Sequence, residues 1–262
     1  MTGRESRVHA TALVDPRARL AAGVEVGPYA VIGPDVEIGE GTTVGAHAVI
    51  TGHTRIGRNN RIFHHATLGE APQDKKYAGE PTRLEIGDDN TIREFCTFNT
   101  GTAQDLGVTT MGHRNWIMAY VHVAHDCVIG SSTTLANCTQ LAGHVVVGDF
   151  AVLGGFTGIH QFCRVGAHAM TGVGSVVLAD VPPYVMAMGN TAQPHGINSE
   201  GLKRRGFGAE SIAAIRRAYK TLYKAGLGLE EARQALRDQV EQVPELAILV
   251  EFLETSKRSI IR

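Results

Sequence analysis

Aromatic side chains are scarce in this chain: Phe, Tyr and Trp make up 6% of its 262 residues. With 31 glycines and few large rings, it can build a core only if its architecture repeats small turns. No apolar run approaches the ~20 residues needed to span a bilayer, so no transmembrane segment is expected. Excess charge is also missing. Twenty-five Lys and Arg face 26 Asp and Glu, and a net charge of -1 gives phosphates no global field to follow; nucleic acid is not expected as the main partner. The opening MTGRESRVHA lacks the apolar core of a signal peptide. The four cysteines (Cys96, Cys127, Cys138, Cys163) show no CxxC spacing, and a reduced, cytoplasmic protein is the simplest expectation. With 43% apolar and 19% charged residues, the chain reads as folded rather than disordered.

What is present is a repeat. Stepping by six from Val8 gives Val14, Leu20, Val26, Ile32, Ile38, Val44, Ile50, Ile56, Ile62 and Leu68, all aliphatic. The step resumes at Ile86, Ile92 and Phe98, and runs again from Met111 through Ile117, Val123, Ile129 and onward to Val177. Small or modest side chains recur four residues after each, and a glycine often follows, as at Gly27, Gly39, Gly130 and Gly148. Neither a 3.6-residue nor a two-residue period produces this pattern. The reading is a short strand and a turn every six residues, with aliphatic groups pointing into a narrow prism and glycine easing the corners. Three sides make a coil of about 18 residues, and stacked coils pair at the ~4.8 Å interstrand spacing. About nine coils form the column.

Two polar stretches break the step, near residues 70–85 and 99–110, and are expected to project from the column as loops. Loops on a rigid scaffold are where binding groups tend to lie. Asp180-Val181-Pro182-Pro183 reads as the terminator of the ladder. From about Gly208 the spacing turns helical, with Ile212, Ile215, Tyr219, Leu222 and Tyr223 on one face. Leu229–Val240 and Pro244–Leu253 read as two further helices. The expected division is a β-helix domain over 1–190 and a C-terminal α-helical domain over 191–262.

The 18-residue coil predicts which residues stack. His125 falls beside Gly143 and then Gln161, and Asp126 beside His144. A patch of His122, His125, Asp126, His144 and His160 emerges on one side. A neutral imidazole accepts a proton from an alcohol, and an adjacent carboxylate orients it and stabilises the cation. Gly143, having no side chain, lets its N–H approach a developing oxyanion. A single histidine on a turn is ordinarily decoration; five polar groups meeting on three neighbouring coils point to chemistry. Zinc held by three histidines between subunits is an alternative, but the spacings single out no such set, and no metal or cofactor is expected. Cys96, Cys127 and Cys163 take the small inward position and read as buried hydrophobes. Arg216, Arg217, Lys220 and Lys224 form a cationic helix face, either simply solvated or a docking surface for an acidic partner.

The segments GEAPQDKKYAGEPTRLEIG (69–87), HVAHDCVIG (122–130), LAGHVVVGDFAVLGG (141–155), GIHQFCRVGAH (158–168), DVPPYVMAMGN (180–190) and GINSEGLKRRGF (196–207) together resemble the acyl-carrier-protein–UDP-N-acetylglucosamine O-acyltransferases that begin lipid A synthesis. The resemblance implies a left-handed parallel β-helix and a homotrimer with sites between neighbouring columns. It implies His125 as general base, Asp126 as its orienting acid and the Gly143 amide as oxyanion donor, with acyl carrier protein and UDP-N-acetylglucosamine as substrates. Substrate-binding positions fall on Asp74, Lys76, His122, His144, His160, Gln161, Asn198, Glu200, Arg204 and Arg205. Carrier-protein docking falls on Arg216, Arg217 and Lys220. The chain departs from well-known members at the end of the acyl groove, where Val173 replaces glycine and Thr191 replaces histidine. The added carbons of Val173 predict a shorter 3-hydroxyacyl chain. Competing readings are a UDP-sugar N-acyltransferase, a coenzyme A-dependent acetyltransferase and a non-catalytic β-helix scaffold.

Overall fold

The structure, a computed structural model, describes residues 5–262; residues 1–4, the start of the expected column domain, lie outside the described residues. Two-residue strands recur every six residues, from Arg7–Val8 through Leu13–Val14 and Arg19–Leu20 to Val176–Val177. They assemble into three parallel sheets, here faces A, B and C, of 11, 9 and 8 strands. Face A begins with Arg7–Val8, face B with Leu13–Val14 and face C with Arg19–Leu20. Arg7 pairs with Glu25 and Val8 with Val26, so each coil lies one 18-residue turn above the last. The second residue of each strand points inward. Ile32, Ile50, Leu68, Ile92, Ile117, Leu135, Leu141 and Leu153 are all fully buried. At the open first coil, Val8 is still 45% exposed.

The glycines do not serve as expected. The corners turn through residues with φ near +60°, and these are mostly not glycine: Tyr29, His47, Asn59, His65, Phe95 and Tyr120 among them. The repeated glycines sit two positions earlier, where space is the constraint. A Cβ on Gly45 would lie 2.5 Å from the His64 amide nitrogen, and one on Gly39 2.6 Å from the Gly57 carbonyl. Glycine is needed there because the next coil's backbone occupies the place of a side chain.

Inside the prism a polar ladder runs along the small inward positions. Asn90 Nδ2 donates to Asn60 Oδ1 (3.0 Å) and to the Gly112 carbonyl (3.0 Å), while Asn90 Oδ1 accepts the Asn115 N–H (2.8 Å). Thr133 Oγ1 donates to Asn115 Oδ1 at 2.8 Å. These groups are buried, and their satisfaction makes polar residues tolerable in an aliphatic core. The ladder bridges the coils enlarged by the two loops, where the vertical step rises from 18 residues to 30 and 25. The loops themselves are shorter than expected, because Thr67–Glu70, Arg83–Ile86, Thr97–Asn99 and Val108–Met111 are strands.

The double proline does not end the ladder. Val181 bridges Val165, and Val185–Met188 then adds to face A beside Met170–Thr171. Gln193–Ile197 closes the edge as an antiparallel strand. Pro182 and Pro183 are accommodated because they fall in the turn before that strand. Helices α1 (Ser199–Arg204), α2 (Ala209–Lys224), α3 (Leu229–Arg237) and α4 (Ala247–Thr255) follow. Their apolar faces form a second core around Leu202, Ile215, Leu222, Leu236, Leu246 and Leu253. Tyr184 Oη donates to the Glu245 carbonyl (2.6 Å) and Arg164 lies over the Phe252 ring, so the helices dock on the end of the column.

Asn90→Ala strips partners from the Gly112 carbonyl and the Asn115 N–H. Each unsatisfied buried group costs about 1–3 kcal/mol, and chemical denaturation is expected to show a loss in that range or above. A change within about 0.5 kcal/mol, the size of a surface substitution, would contradict the ladder's role.

Candidate active site

At the corner between faces B and C, each coil turns through two residues, the second with positive φ. Asp126 (φ 58°), His144 (φ 63°) and Phe162 (φ 65°) occupy that second place on three successive coils. His125, Gly143 and Gln161 occupy the first. This left-handed conformation is costly for a residue with a Cβ, and the corner is over-determined by stacking: His144 N–H donates to the His125 carbonyl, and Phe162 N–H to that of Gly143. The predicted offsets are those observed. Both loops, 71–82 and 100–107, leave the column from this same corner, where strands of face B give way to strands of face C.

His125 Nδ1 lies 2.9 Å from Asp126 Oδ2; the imidazole is 15% exposed and the carboxylate is completely buried. Two further donors hold that carboxylate. Thr102 N–H reaches both oxygens (3.0 and 3.1 Å), and Thr102 Oγ1 donates to Oδ2 at 2.6 Å. With His125 Nδ1 committed to this carboxylate, Nε2 is the ring nitrogen left free. The opposite wall of the ring is Gly143, where a Cβ would stand 2.6 Å from Nε2. The Gly143 N–H has no hydrogen-bond acceptor among the described residues. An imidazole, a buried carboxylate and a free amide donor thus meet at one point. The neighbouring Cys127 is no rival nucleophile, since burial pushes its thiol up to about 12.

The other expected residues are distributed more widely. His144 joins the cluster, its ring edge-on to His125 at 4.9 Å. His122 sits on the adjacent strand with Nδ1 2.8 Å from Thr97 Oγ1; burial, and secondarily the His125 charge, lowers its pKa. His160 and Gln161 are exposed one coil on, with His160 Nδ1 3.1 Å from the Gln161 carbonyl. Asp74 caps a turn in the 71–82 loop by accepting the Lys76 N–H (2.9 Å), and no hydrogen bond or ion pair joins either to the histidines among the described residues. His125, Asp126 and His144 each offer a ligand atom within 4.8 Å of the others, so this donor set could hold a divalent cation. The short contacts within it are those of hydrogen-bonded imidazole–carboxylate pairs.

Asn198, Glu200, Arg204 and Arg205 belong to a different corner, between faces C and A. Asn198 caps α1 by accepting the Gly201 N–H and donates to the His168 carbonyl (3.0 Å). Glu200 pairs with Lys203 (2.7 Å), and Arg204 is exposed. Arg205 lies over the Phe150 ring at 4.7 Å and donates to the Ser132 carbonyl. Phe150, His168 and Tyr184 stack in turn, with Phe207 edge-on. Val173, 80% exposed, stands at the third corner, between faces A and B, and Thr191 is exposed nearby, next to Ala192, whose N–H bonds the Val176 carbonyl. Arg216, Arg217 and Lys220 are exposed along α2.

Sequence reasoning missed Thr102, Asp105, Phe150 and Phe162. Thr102 and Asp105 lie in a loop outside the repeat, so no offset assigns them a neighbour. Phe150 and Phe162 were in register, and stacking on the corner was the available signal. A concavity of about 680 Å³ lies over face A near Arg7, Glu25 and Arg61 and includes none of the clustered residues.

The chain matches the bacterial transferase hexapeptide (six repeats) family at residues 17–52 and 109–143, and the family described as Udp N-acetylglucosamine O-acyltransferase; Domain 2 at residues 180–261. An acyl-[acyl-carrier-protein]--UDP-N-acetylglucosamine O-acyltransferase of Thiobacillus denitrificans is 66% identical over 255 residues, 97% of this chain and 99% of that protein. The protein of the same name from a Janthinobacterium strain is 61% identical over 261 residues, 98% of this chain and all of the relative. Among solved structures, the UDP-N-acetylglucosamine O-acyltransferase of Moraxella catarrhalis superposes with a TM-score of 0.96 at 44% identity, covering 97% of this chain and 99% of that one.

Burial, and secondarily the nearby Arg205 charge, lowers the His168 pKa from 6.5 to about 4. The unfolded chain takes up this proton as pH falls through 6.5, while the folded chain resists until about 4. The stability that His168 contributes by staying neutral is therefore fully present above 6.5 and is lost between 6.5 and 4. His168→Phe keeps the stack and removes the titration, so its melting temperature is expected to fall less than the wild type's across that window. Parallel curves would remove His168 as a source of acid sensitivity.

Proposed function

The chain belongs to the UDP-N-acetylglucosamine O-acyltransferase family, and we propose that it transfers an acyl chain from acyl carrier protein to UDP-N-acetylglucosamine, opening lipid A biosynthesis. Its column is the left-handed parallel β-helix of its solved relatives. The observation that carries the reaction is the convergence of the His125–Asp126 pair with the unpaired Gly143 amide.

His125 Nε2 accepts the proton of the sugar 3-hydroxyl as that oxygen attacks the thioester carbonyl carbon. The imidazolium that forms is stabilised by the buried Asp126 carboxylate, which Thr102 holds in place. The carbonyl oxygen becomes the oxyanion, facing the Gly143 N–H. Collapse breaks the carbon–sulfur bond, and the departing phosphopantetheine thiolate recovers the proton from Nε2. Atoms and charge balance without a resident cofactor; the carrier protein's thioester is the donor substrate.

The remaining assignments follow the same reading. Asp74, Lys76, His122, His144, His160 and Gln161 contact the substrates along the B–C corner. Asn198, Glu200, Arg204 and Arg205 contact the nucleotide, guanidinium groups being suited to diphosphate oxygens. The exposed cations Arg216, Arg217 and Lys220 receive the acidic carrier protein. Corners of one prism stand up to about 20 Å apart, six residues at ~3.3 Å each. Groups at the B–C and C–A corners of one column therefore do not meet, whereas corners of adjacent columns can. That separation supports a homotrimer with sites shared between neighbours; in this reading Val173 and Thr191 stand at the far end of an acyl groove. No described helix is long and apolar enough to cross a membrane, which fits a cytoplasmic setting beside a soluble carrier.

The test is a transfer assay with UDP-N-acetylglucosamine and a series of 3-hydroxyacyl carrier proteins. The wild type is expected to prefer a shorter chain than Val173→Gly, and His125→Ala to lose turnover by ~10²-fold or more while keeping its melting temperature. Undiminished turnover in His125→Ala would remove it as the base; unchanged chain preference in Val173→Gly would remove Val173 as the ruler.

A further inference from the structure

A second imidazole–carboxylate pair stands beside the first. His144 Nδ1 lies 2.6 Å from Asp105 Oδ2, with side-chain exposures of 16% and 43%. The Asp126 carboxylate is also close to His144 Nδ1, at 4.0 Å. It does not serve as the partner, because His125 and the two Thr102 donors already engage it. Asp105, by contrast, brings its carboxylate to His144 alone among the described residues, and the loop supplies it from outside the column.

The rest of the His144 ring is held as firmly. One face stacks on Phe162 at 4.2 Å and 11°, and an edge meets the His125 ring at 88°. Its backbone N–H is tied to the His125 carbonyl. With Nδ1 committed to Asp105, Nε2 is the polar atom of this ring without a hydrogen-bond partner among the described residues. Residues 102 and 105 of one loop thus clamp two neighbouring coils. Thr102 fixes the acid of the catalytic pair, and Asp105 fixes the next imidazole.

We infer that Asp105 is a positioning residue for His144, locking its ring so that Nε2 meets a hydroxyl of the acceptor sugar. The inference deepens the proposed function and rests on it, since it takes the acceptor to be UDP-N-acetylglucosamine. Asp105 acts through His144, so its loss weakens acceptor binding and leaves the donor side untouched. A charge-assisted hydrogen bond of this kind is worth roughly tenfold in affinity or more.

The experiment measures UDP-N-acetylglucosamine binding by calorimetry and steady-state kinetics for the wild type, Asp105→Ala, Asp105→Asn, His144→Ala and the Asp105→Ala/His144→Ala double variant. Asp105→Ala is expected to raise Kd and KM for the nucleotide sugar about tenfold, with KM for acyl carrier protein unchanged. Asp105→Asn, which keeps an acceptor oxygen, recovers most of the loss. In the His144→Ala background the Asp105 change adds nothing. Unchanged nucleotide-sugar binding in Asp105→Ala, or a full penalty persisting without His144, overturns the role of Asp105 alone. A wild type that neither binds nor acylates the nucleotide sugar overturns the proposed function and this inference with it.

Discussion

Everything in this molecule depends on the vertical register of one coil upon the next. Hydrogen bonds between backbones 18 residues apart fix both the spacing and the rotation of the coils, so residues at equivalent turns stand in columns. That constraint explains why the core can be almost wholly aliphatic: one inward side chain from each strand fills a prism too narrow for most rings. It also explains the glycines, which are required where one coil's backbone passes close over the next. The same register sets His125 against Gly143 and Asp126 under His144. The geometry of the candidate site is a consequence of the ladder rather than an addition to it.

The hexad made the prism, the coil length and the stacking of 125 on 143 legible in the sequence, because a strictly periodic backbone turns sequence offsets into spatial neighbours. The same logic misread the glycines as left-handed corner residues. The corners are in fact taken by Tyr29, His47, Phe95 and others, whose rings stack on one another along the edge. The double proline was read as a stop, although the chain adds Val185–Met188 to face A after it. A proline forbids donation at its own position only, and here that position faces a turn. Thr102 and Asp105 were invisible because a loop outside the repeat has no offset rule. Their partners emerge only when the loop folds back on its own corner.

The distribution of functional groups over three corners carries a second consequence. His125 and its clamp occupy one edge of the prism, Arg205 on its Phe150 platform another, and Val173 the third. A rigid prism keeps these edges apart. On the proposed reading, a site that used His125, Arg204, Arg205 and Val173 together would be completed by adjoining columns, and the flat faces between edges are suited to that association.

Subunit complementation tests this claim most directly. His125→Ala and Arg205→Ala chains, each crippled alone, are co-expressed, purified as mixed oligomers and assayed for acyl transfer to UDP-N-acetylglucosamine. If each site takes its base from one column and its arginine from the next, random assortment restores roughly a quarter of the sites. If activity stays at the level of the two parents, base and arginine act from the same chain, and the shared-site account is contradicted.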